Sequence, residues 1–315
     1  MRHLITSLVV LFLLAGAAFF SVSDRASTAP SARNDNDELE VSVDRRNPWT
    51  HLDANNRRSD FQFAIVTDRT GGRRPGVFTE AVGKINLLQP EFVVSVGDLI
   101  NGYTEDPGQW ALEWSEFESK IADLQMPFFF CAGNHDFSNV PMSKDWKRKF
   151  GRSYYHFRYR DVLFVVLNSE EFPRTKEQPY YFSSEQQKWL AKTLGENEDV
   201  RWTFVIVHKP AWAYVEDDPD ALGWTGIEAT FQDRPYTVFA GHVHTYAKFN
   251  RKGREYYTLA TTGGGSNLSG LAAGKFDHFV WVTMKDEGPV IANILLDGLE
   301  DRDVRTVPNP VRKPK

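Results

Sequence analysis

The chain alternates short, nearly continuous apolar runs with longer amphipathic stretches. Phe61–Thr67 (FQFAIVT), Phe92–Val96 (FVVSV), Phe128–Ala132 (FFFCA), Trp202–Val207 (WTFVIV) and Tyr236–Ala240 (YTVFA) are short and rich in β-branched and aromatic residues. Such runs suit strands buried on both faces. Between them, Phe78, Ala81, Val82, Ile85 and Leu88 recur at helical spacing, as do Trp110, Trp114, Phe117, Ile121 and Leu124, and a shorter helical pattern covers Glu185–Leu194. Strands alternating with helices predict βαβ units and an α/β fold. Five later runs, Tyr155–Tyr159, Val162–Leu167, Tyr256–Thr261, Phe279–Met284 and Val290–Leu295, come with fewer helices and predict a second sheet with more antiparallel pairing. Nothing repeats or breaks between 60 and 300, so this stretch reads as one domain.

The two ends are different material. Leu4 to Phe20 is apolar except for Thr6 and Ser7, with Arg2 before it and Asp24 and Arg25 after it. That order is the one a secretory signal uses, and it predicts export to a periplasmic or secreted location. Cleavage after Ser23, cleavage within the Ala15–Ala18 patch, and retention of residues 4–20 as a membrane anchor all fit the run. Residues 1–23 are thus read as signal peptide or anchor, 24–59 as a flexible polar tether, and 301–315, with three prolines and five basic residues, as a loose tail.

Composition narrows the function classes. The 315 residues include 37 Lys plus Arg against 42 Asp plus Glu, a formal net charge of -5, which disfavours a protein that coats nucleic acid. The single cysteine, Cys131, excludes an intramolecular disulfide and any multi-Cys cluster. Lying inside an apolar run, it reads as a small core residue.

The residues directly after each buried run carry the chemistry. The first run ends in Asp68, the second in Gly97-Asp98, the third in Gly133-Asn134-His135-Asp136, the fourth in His208 and the fifth in Gly241-His242-Val243-His244. In open α/β sheets the ligand crevice lies beyond the carboxyl ends of the strands. An Asp or Gly-Asp after a strand is ordinarily a turn, and a lone histidine ordinarily a core residue. His242 and His244, at i and i+2, point to one side of an extended segment. Five such ends in order, each offering a carboxylate, an amide or an imidazole, form the donor set of a borderline-to-hard metal centre.

These motifs closely resemble those of the calcineurin-like metallophosphoesterase superfamily, which includes the purple acid phosphatases. The likeness runs from about Phe61 to Leu296, and four of the five motifs are intact. It implies a four-layer α/β/β/α sandwich of two mixed sheets, and an enzyme hydrolysing small phosphomonoesters or diesters with a metal-bound hydroxide at a dinuclear centre of Mn, Fe, Zn or Co. By motif, Asp98 is implied to bridge two metals, Asn134, His208 and His242 to complete the second site, and Asp68 and His244 to serve the first. His135 is implied to act as the acid or charge stabiliser at the phosphoryl oxygen, with Asp136 orienting it.

The first motif departs from the family, which has a histidine where this chain has Thr70. The purple acid phosphatases also lack that histidine and use a tyrosine at the place held here by Asn101. Thr70 and Asn101 are therefore read as weak or replacement ligands, with Tyr103 two residues further on, and the first site is expected to be weakly occupied. The segment after the break, Gly71-Gly72-Arg73-Arg74-Pro75-Gly76, reads with Arg69 as a clamp for substrate phosphate or as an exposed basic turn. Trp212, Tyr214 and Trp224 read as stacking platforms or as hydrophobic loop anchors. Gly263-Gly264-Gly265 reads as backbone passing close to the site. The competing function is a metal- or phosphate-binding protein of the same fold with little or no turnover. Thr70 supports it, and the His135-Asp136 pair opposes it.

Overall fold

The buried runs become the strands of two six-stranded sheets. The computed structural model describes residues 32–33, 40–41, 45–52, 54–172, 174, 182–213, 223–301 and 303–306. The apolar run at 4–20, half of the stretch read as a tether, Tyr214, and the tail beyond 306 lie outside the described residues. The chain divides into two units, residues 1–57 and 58–315. In the first, β1 (Ala32–Arg33) pairs antiparallel with β2 (Glu40–Val41). The second runs β3 (Phe61–Val66), α1 (Val77–Leu88), β4 (Phe92–Ser95), α2 (Pro107–Ile121), β5 (Phe128–Phe129), α3 (Val140–Phe150), β6 (Tyr155–Tyr159), β7 (Val162–Val166), α4 (Ser184–Gly195), β8 (Trp202–Val207), α5 (Trp224–Thr230), β9 (Tyr236–Ala240), β10 (Ala247–Arg251), β11 (Arg254–Thr258), β12 (His278–Lys285), β13 (Gly288–Leu295) and β14 (Leu299–Asp301).

One sheet has the order β14-β13-β12-β3-β4-β5, the other β10-β11-β9-β8-β7-β6. β3, β4 and β5 are parallel, as are β7, β8, β9 and β11, and antiparallel strands close the remaining edges. The expected split into an early sheet and a late sheet does not hold. β8 and β9 join the second sheet, while β12 and β13 return to the first, where Val280 pairs with Ile65. Apolar runs of equal character do not reveal which neighbour each will choose.

Strand periodicity builds the layers. Phe61, Phe63 and Ile65 of β3 face Phe164 and Phe204 of the other sheet in one central core, with Phe63 edge-on to Phe164 at 5.0 Å. The alternate residues Ala64 and Val66 face outward onto Phe78, Ala81, Val82 and Ile85 of α1 and Trp114 and Phe117 of α2. On the far side, Leu163, Val165, Val205 and Val207 meet Leu190 and Leu194 of α4 and Trp224 and Ile227 of α5. The result is the α/β/β/α sandwich that the resemblance implies. Side-chain caps set three helix starts: Asp106 accepts from Gly108 N, Asn139 from Met142 N and Ser183 from Gln186 N. Trp212 and Trp224 are wholly buried, so they anchor this layer and offer no stacking face to a ligand. Cys131 is buried too, and burial pushes its thiol well above the ordinary range.

Candidate metal centre

Because β3, β4, β5, β8 and β9 run the same way within their sheets, the residues at their carboxyl ends converge at one edge of the sandwich. Two groups of ligating atoms form there: Asp68, Asp98 and His244, and Asp98, His208 and His242. Within each group the atoms lie within 4.8 Å of one another, and Asp98 belongs to both. Asn134 joins the second group, with its Oδ1 at 2.8 Å from His208 Nε2.

The donors fit a pair of cations. Asp68 is wholly buried. Its Oδ1 accepts the His242 N–H at 2.8 Å and lies 3.3 Å from His244 Nε2, while its Oδ2 is buried with no hydrogen-bond partner. A buried carboxylate oxygen without a donor is costly unless a positive charge faces it. The protein closes tightly around these oxygens. A Cβ at Gly241 would lie 2.1 Å from Asp68 Oδ2, and one at Gly133 would lie 2.2 Å from Asp98 Oδ1.

The loops are bent to aim the ligands. Asp98, His242 and His244 have φ of 58°, 70° and 49°, a region that non-glycine residues enter only where the surroundings impose it. The segment holding His242 and His244 is therefore not extended as expected, and its two imidazoles go to different groups.

Charge is arranged around Asp98. Burial works against its anion, yet the His208 and His135 imidazoles hold it well below the ordinary carboxylate range. Burial likewise disfavours a charged His208, but Asp98 Oδ1 at 3.3 Å outweighs it and raises His208 to about 10. Its Nδ1 faces the Val96 carbonyl at 2.9 Å, which leaves Nε2 for the centre. His242 is pushed down to about 2 by burial and then by His208, so it stays neutral, the form that binds metal. His244 is raised by Asp68 against the effect of burial, and its Nδ1 is held by the Gly265 carbonyl at 2.7 Å.

His135 and Asp136 part company. The His135 Nδ1 lies 2.5 Å from the Asn101 carbonyl oxygen, so that carbonyl, and not Asp136, orients the ring. Asp136 is buried, and its oxygens accept the backbone N–H groups of Leu99 (2.8 Å), Ile100 (3.0 Å) and Gly133 (2.9 Å). It thereby ties the Asp98 loop to the Asn134 loop. Burial and then Asp98 push it up to about 7, against the pull of those three donors.

The arginines expected at substrate phosphate are engaged elsewhere. Arg69 is buried, donates to Leu99 O at 2.7 Å and to Glu116, and lies over Phe78 and Phe117. Arg73 pairs with Glu116 at 3.0 Å. Arg74 grips Asp277 with both terminal nitrogens at 2.5 Å and donates to Gly264 O at 2.9 Å. Glu116 pairs with Arg69 and Arg73 and Asp277 with Arg74, so these cations fasten loops. The glycine loop does pass close to the site: a Cβ on Gly264 would be 2.8 Å from Asp68 O and 3.1 Å from His244 Cε1. Thr70 is buried, and its hydroxyl donates to Asn101 Oδ1 at 2.5 Å.

Two features of the site differ from the sequence reading or go beyond it. Tyr103 reaches the second group and not the first: its hydroxyl accepts from Asn134 Nδ2 at 2.9 Å, and its ring stands edge-on to His135 at 4.7 Å. Its spacing from Asp98 carries no signal of this, because a left-handed turn at Tyr103 (φ 50°) delivers it. The second feature is the segment after β7. Glu170 is buried and pairs with Lys209 at 3.1 Å and with Arg174 at 2.6 Å, and Arg174 also donates to Phe137 O at 2.5 Å. This bridges the His208 and His135 loops. Asn168-Ser169-Glu170 comes after a buried run, so the rule that found the other strand ends finds this one too.

The family model for calcineurin-like phosphoesterases matches residues 59–246. The serine/threonine-protein phosphatase CPPED1 of Homo sapiens is 27% identical over 184 residues, covering 53% of this chain and 57% of its own length. Purple acid phosphatase 22 of Arabidopsis thaliana is 26% identical over 242 residues, covering 67% of this chain and 51% of its own. The chain thus spans about half the length of the curated relatives it matches. Among solved structures, a dimetal phosphatase from Danio rerio has the same fold, with a TM-score of 0.54 at 15% identity, covering 76% of this chain and 96% of that one.

Proposed function

The chain belongs to the calcineurin-like phosphoesterase family, and from that premise we propose that it hydrolyses small phosphate esters, monoesters or diesters, at a two-cation centre. The observation that carries this reading is the pair of ligand groups sharing Asp98, beside a buried Asp68 oxygen that has no donor. Asp68, Asp98 and His244 would hold one cation, and Asp98, Asn134, His208 and His242 the other. Bound cations of the Mn, Fe, Zn or Co kind would supply Lewis-acid charge to the phosphoryl group and to the attacking water.

The remaining chemistry falls to the chain itself. With Nδ1 anchored on the Asn101 carbonyl, His135 has Nε2 free, 4.0 Å from Asp98 Oδ2. That nitrogen is the one in place to hand a proton to the leaving oxygen. Asp136 holds the Asp98 and Asn134 loops in register, and Tyr103 fixes the Asn134 amide so that Oδ1 faces inward.

The test is hydrolysis of a chromogenic phosphomonoester and a diester with each metal added in turn. Metal-dependent turnover is expected, and His135→Ala should lower kcat about 100-fold. No turnover with any metal, together with retained metal binding, would favour the second reading, a binding protein of the same fold, which Thr70 supports.

We also propose that the chain is exported, with residues 1–23 acting as signal or anchor. The support is the apolar run at 4–20 between Arg2 and Asp24. Among the described residues, no helix is long and apolar enough to cross a membrane. N-terminal sequencing of the protein recovered from each cell fraction tests the proposal, and a full-length chain confined to the soluble cytoplasm would refute it.

A further inference from the structure

None of the candidate metal ligands lines a cavity of about 550 Å³ that is walled on one side by α3 and the turn after it. The chain is acidic overall, yet α3 carries Lys144, Lys147, Arg148 and Lys149, and Arg152 lies just beyond it. Arg148 and Lys149 are paired with Asp145 and Glu118. Lys147 and Arg152 line the cavity, are exposed, and have no ion-pair partner among the described residues.

A second observation comes from another element. Asn168, after β7, lines the same cavity and is wholly buried. Gln186 holds both its backbone N–H (2.8 Å) and its carbonyl (2.9 Å), and its Oδ1 accepts the Glu170 N–H at 2.7 Å. The amide orientation is thereby set, and Nδ2 is left with no partner. A buried N–H donor in that state calls for an acceptor. The one acid in the lining, Glu171, is already taken up by Ser183 and Gln186. The cavity therefore presents donors and cations to its contents. Its remaining walls include Trp189 and Tyr154, whose ring centroids are 5.0 Å apart.

We propose that this cavity is a second anion site, separate from the metal centre, for a small phosphate monoester bearing a ring. Lys147, Arg152 and Asn168 Nδ2 receive the phosphate oxygens, and Trp189 and Tyr154 pack against the ring. The lining favours a doubly charged phosphate over a carboxylate because it offers two cations and a buried amide donor, from two separate elements, and no free acid.

Calorimetric titration of the full chain tests the proposal, with phenyl phosphate and inorganic phosphate as probes, after a chelator has removed any metal so that the first site cannot take an anion. Phenyl phosphate should bind one to one, more tightly than inorganic phosphate, and about tenfold more weakly to the Lys147→Ala/Arg152→Ala double variant. Both residues are exposed, and neither belongs to the metal centre, so the double variant should keep full metal-dependent turnover, which also shows that it folds. Absence of saturable binding, equal affinity in the double variant, or equal affinity for the two probes would overturn the proposal.

Discussion

The Thr70 hydroxyl donates to the side-chain carbonyl of Asn101 at 2.5 Å. The two residues standing where the family places a metal-ligating imidazole or phenolate thus satisfy each other. The first group is left with Asp68, Asp98 and His244 as its strong donors, against four protein donors in the second. After exhaustive dialysis, elemental analysis should find close to one metal per chain, with the second restored by excess metal in the buffer. A firm two per chain would show that Thr70 and Asn101 ligate well after all.

Tyr103 supports the second group through Asn134. Removing its hydroxyl frees the Asn134 amide to turn, so Tyr103→Phe should weaken metal binding there about tenfold, the usual scale for an outer partner of a ligand. Competition with a fluorescent chelator reads this directly, without relying on turnover. An unchanged affinity would reduce Tyr103 to a surface residue that happens to lie near.

Arg74 separates a fastening role from a substrate role. Its grip on Asp277 and Gly264 holds the glycine loop against Asp68 and His244. Arg74→Ala should cost about 2 kcal/mol of stability in urea unfolding and leave KM for a phosphoester unchanged. A several-fold rise in KM with stability intact would return this arginine to the substrate.

His278 makes stability depend on pH. It is wholly buried, with Nδ1 at 2.9 Å from Asn293 Oδ1 and Nε2 accepting the Ala260 N–H at 3.1 Å. Protonating Nε2 would break the second bond. Burial accordingly lowers His278 to about 4, below its ordinary value of 6.5. Between those values the unfolded chain binds the proton and the folded one does not. The contribution is full above pH 6.5 and is lost as pH falls toward 4, by about 3 kcal/mol. Urea unfolding at several pH values should show a shallower acid slope for His278→Gln, and parallel slopes would exclude this role.

Much of the fold was legible because burial on both faces writes continuous apolar runs. Trp202–Val207 and Tyr236–Ala240 appear as strands with the bounds read from the sequence. α3 was not legible, since its basic residues obscure the buried Met142 and Trp146. The strand-end residues were legible as donors, and their convergence results from parallel strands that share a carboxyl edge. Side-chain partnerships were not. Nothing in the order of residues says that Asn101 offers its backbone carbonyl to His135, or that Glu116 and Asp277 pair with the arginines, because these contacts join positions 34 to 203 residues apart.

The return of β12 to the first sheet has a kinetic consequence. β3, near the start of the folded region, gains its antiparallel neighbour only from residues 278–285, near the end. Closing so long a loop comes before any reward from the pairing, so this sheet should form late and slowly. A chain shortened ahead of His278 would leave an aromatic-rich strand with one edge bare, open to pairing with other chains. The last strands thus cap an aggregation-prone edge, and the protein tolerates little truncation there even though every candidate metal ligand lies upstream.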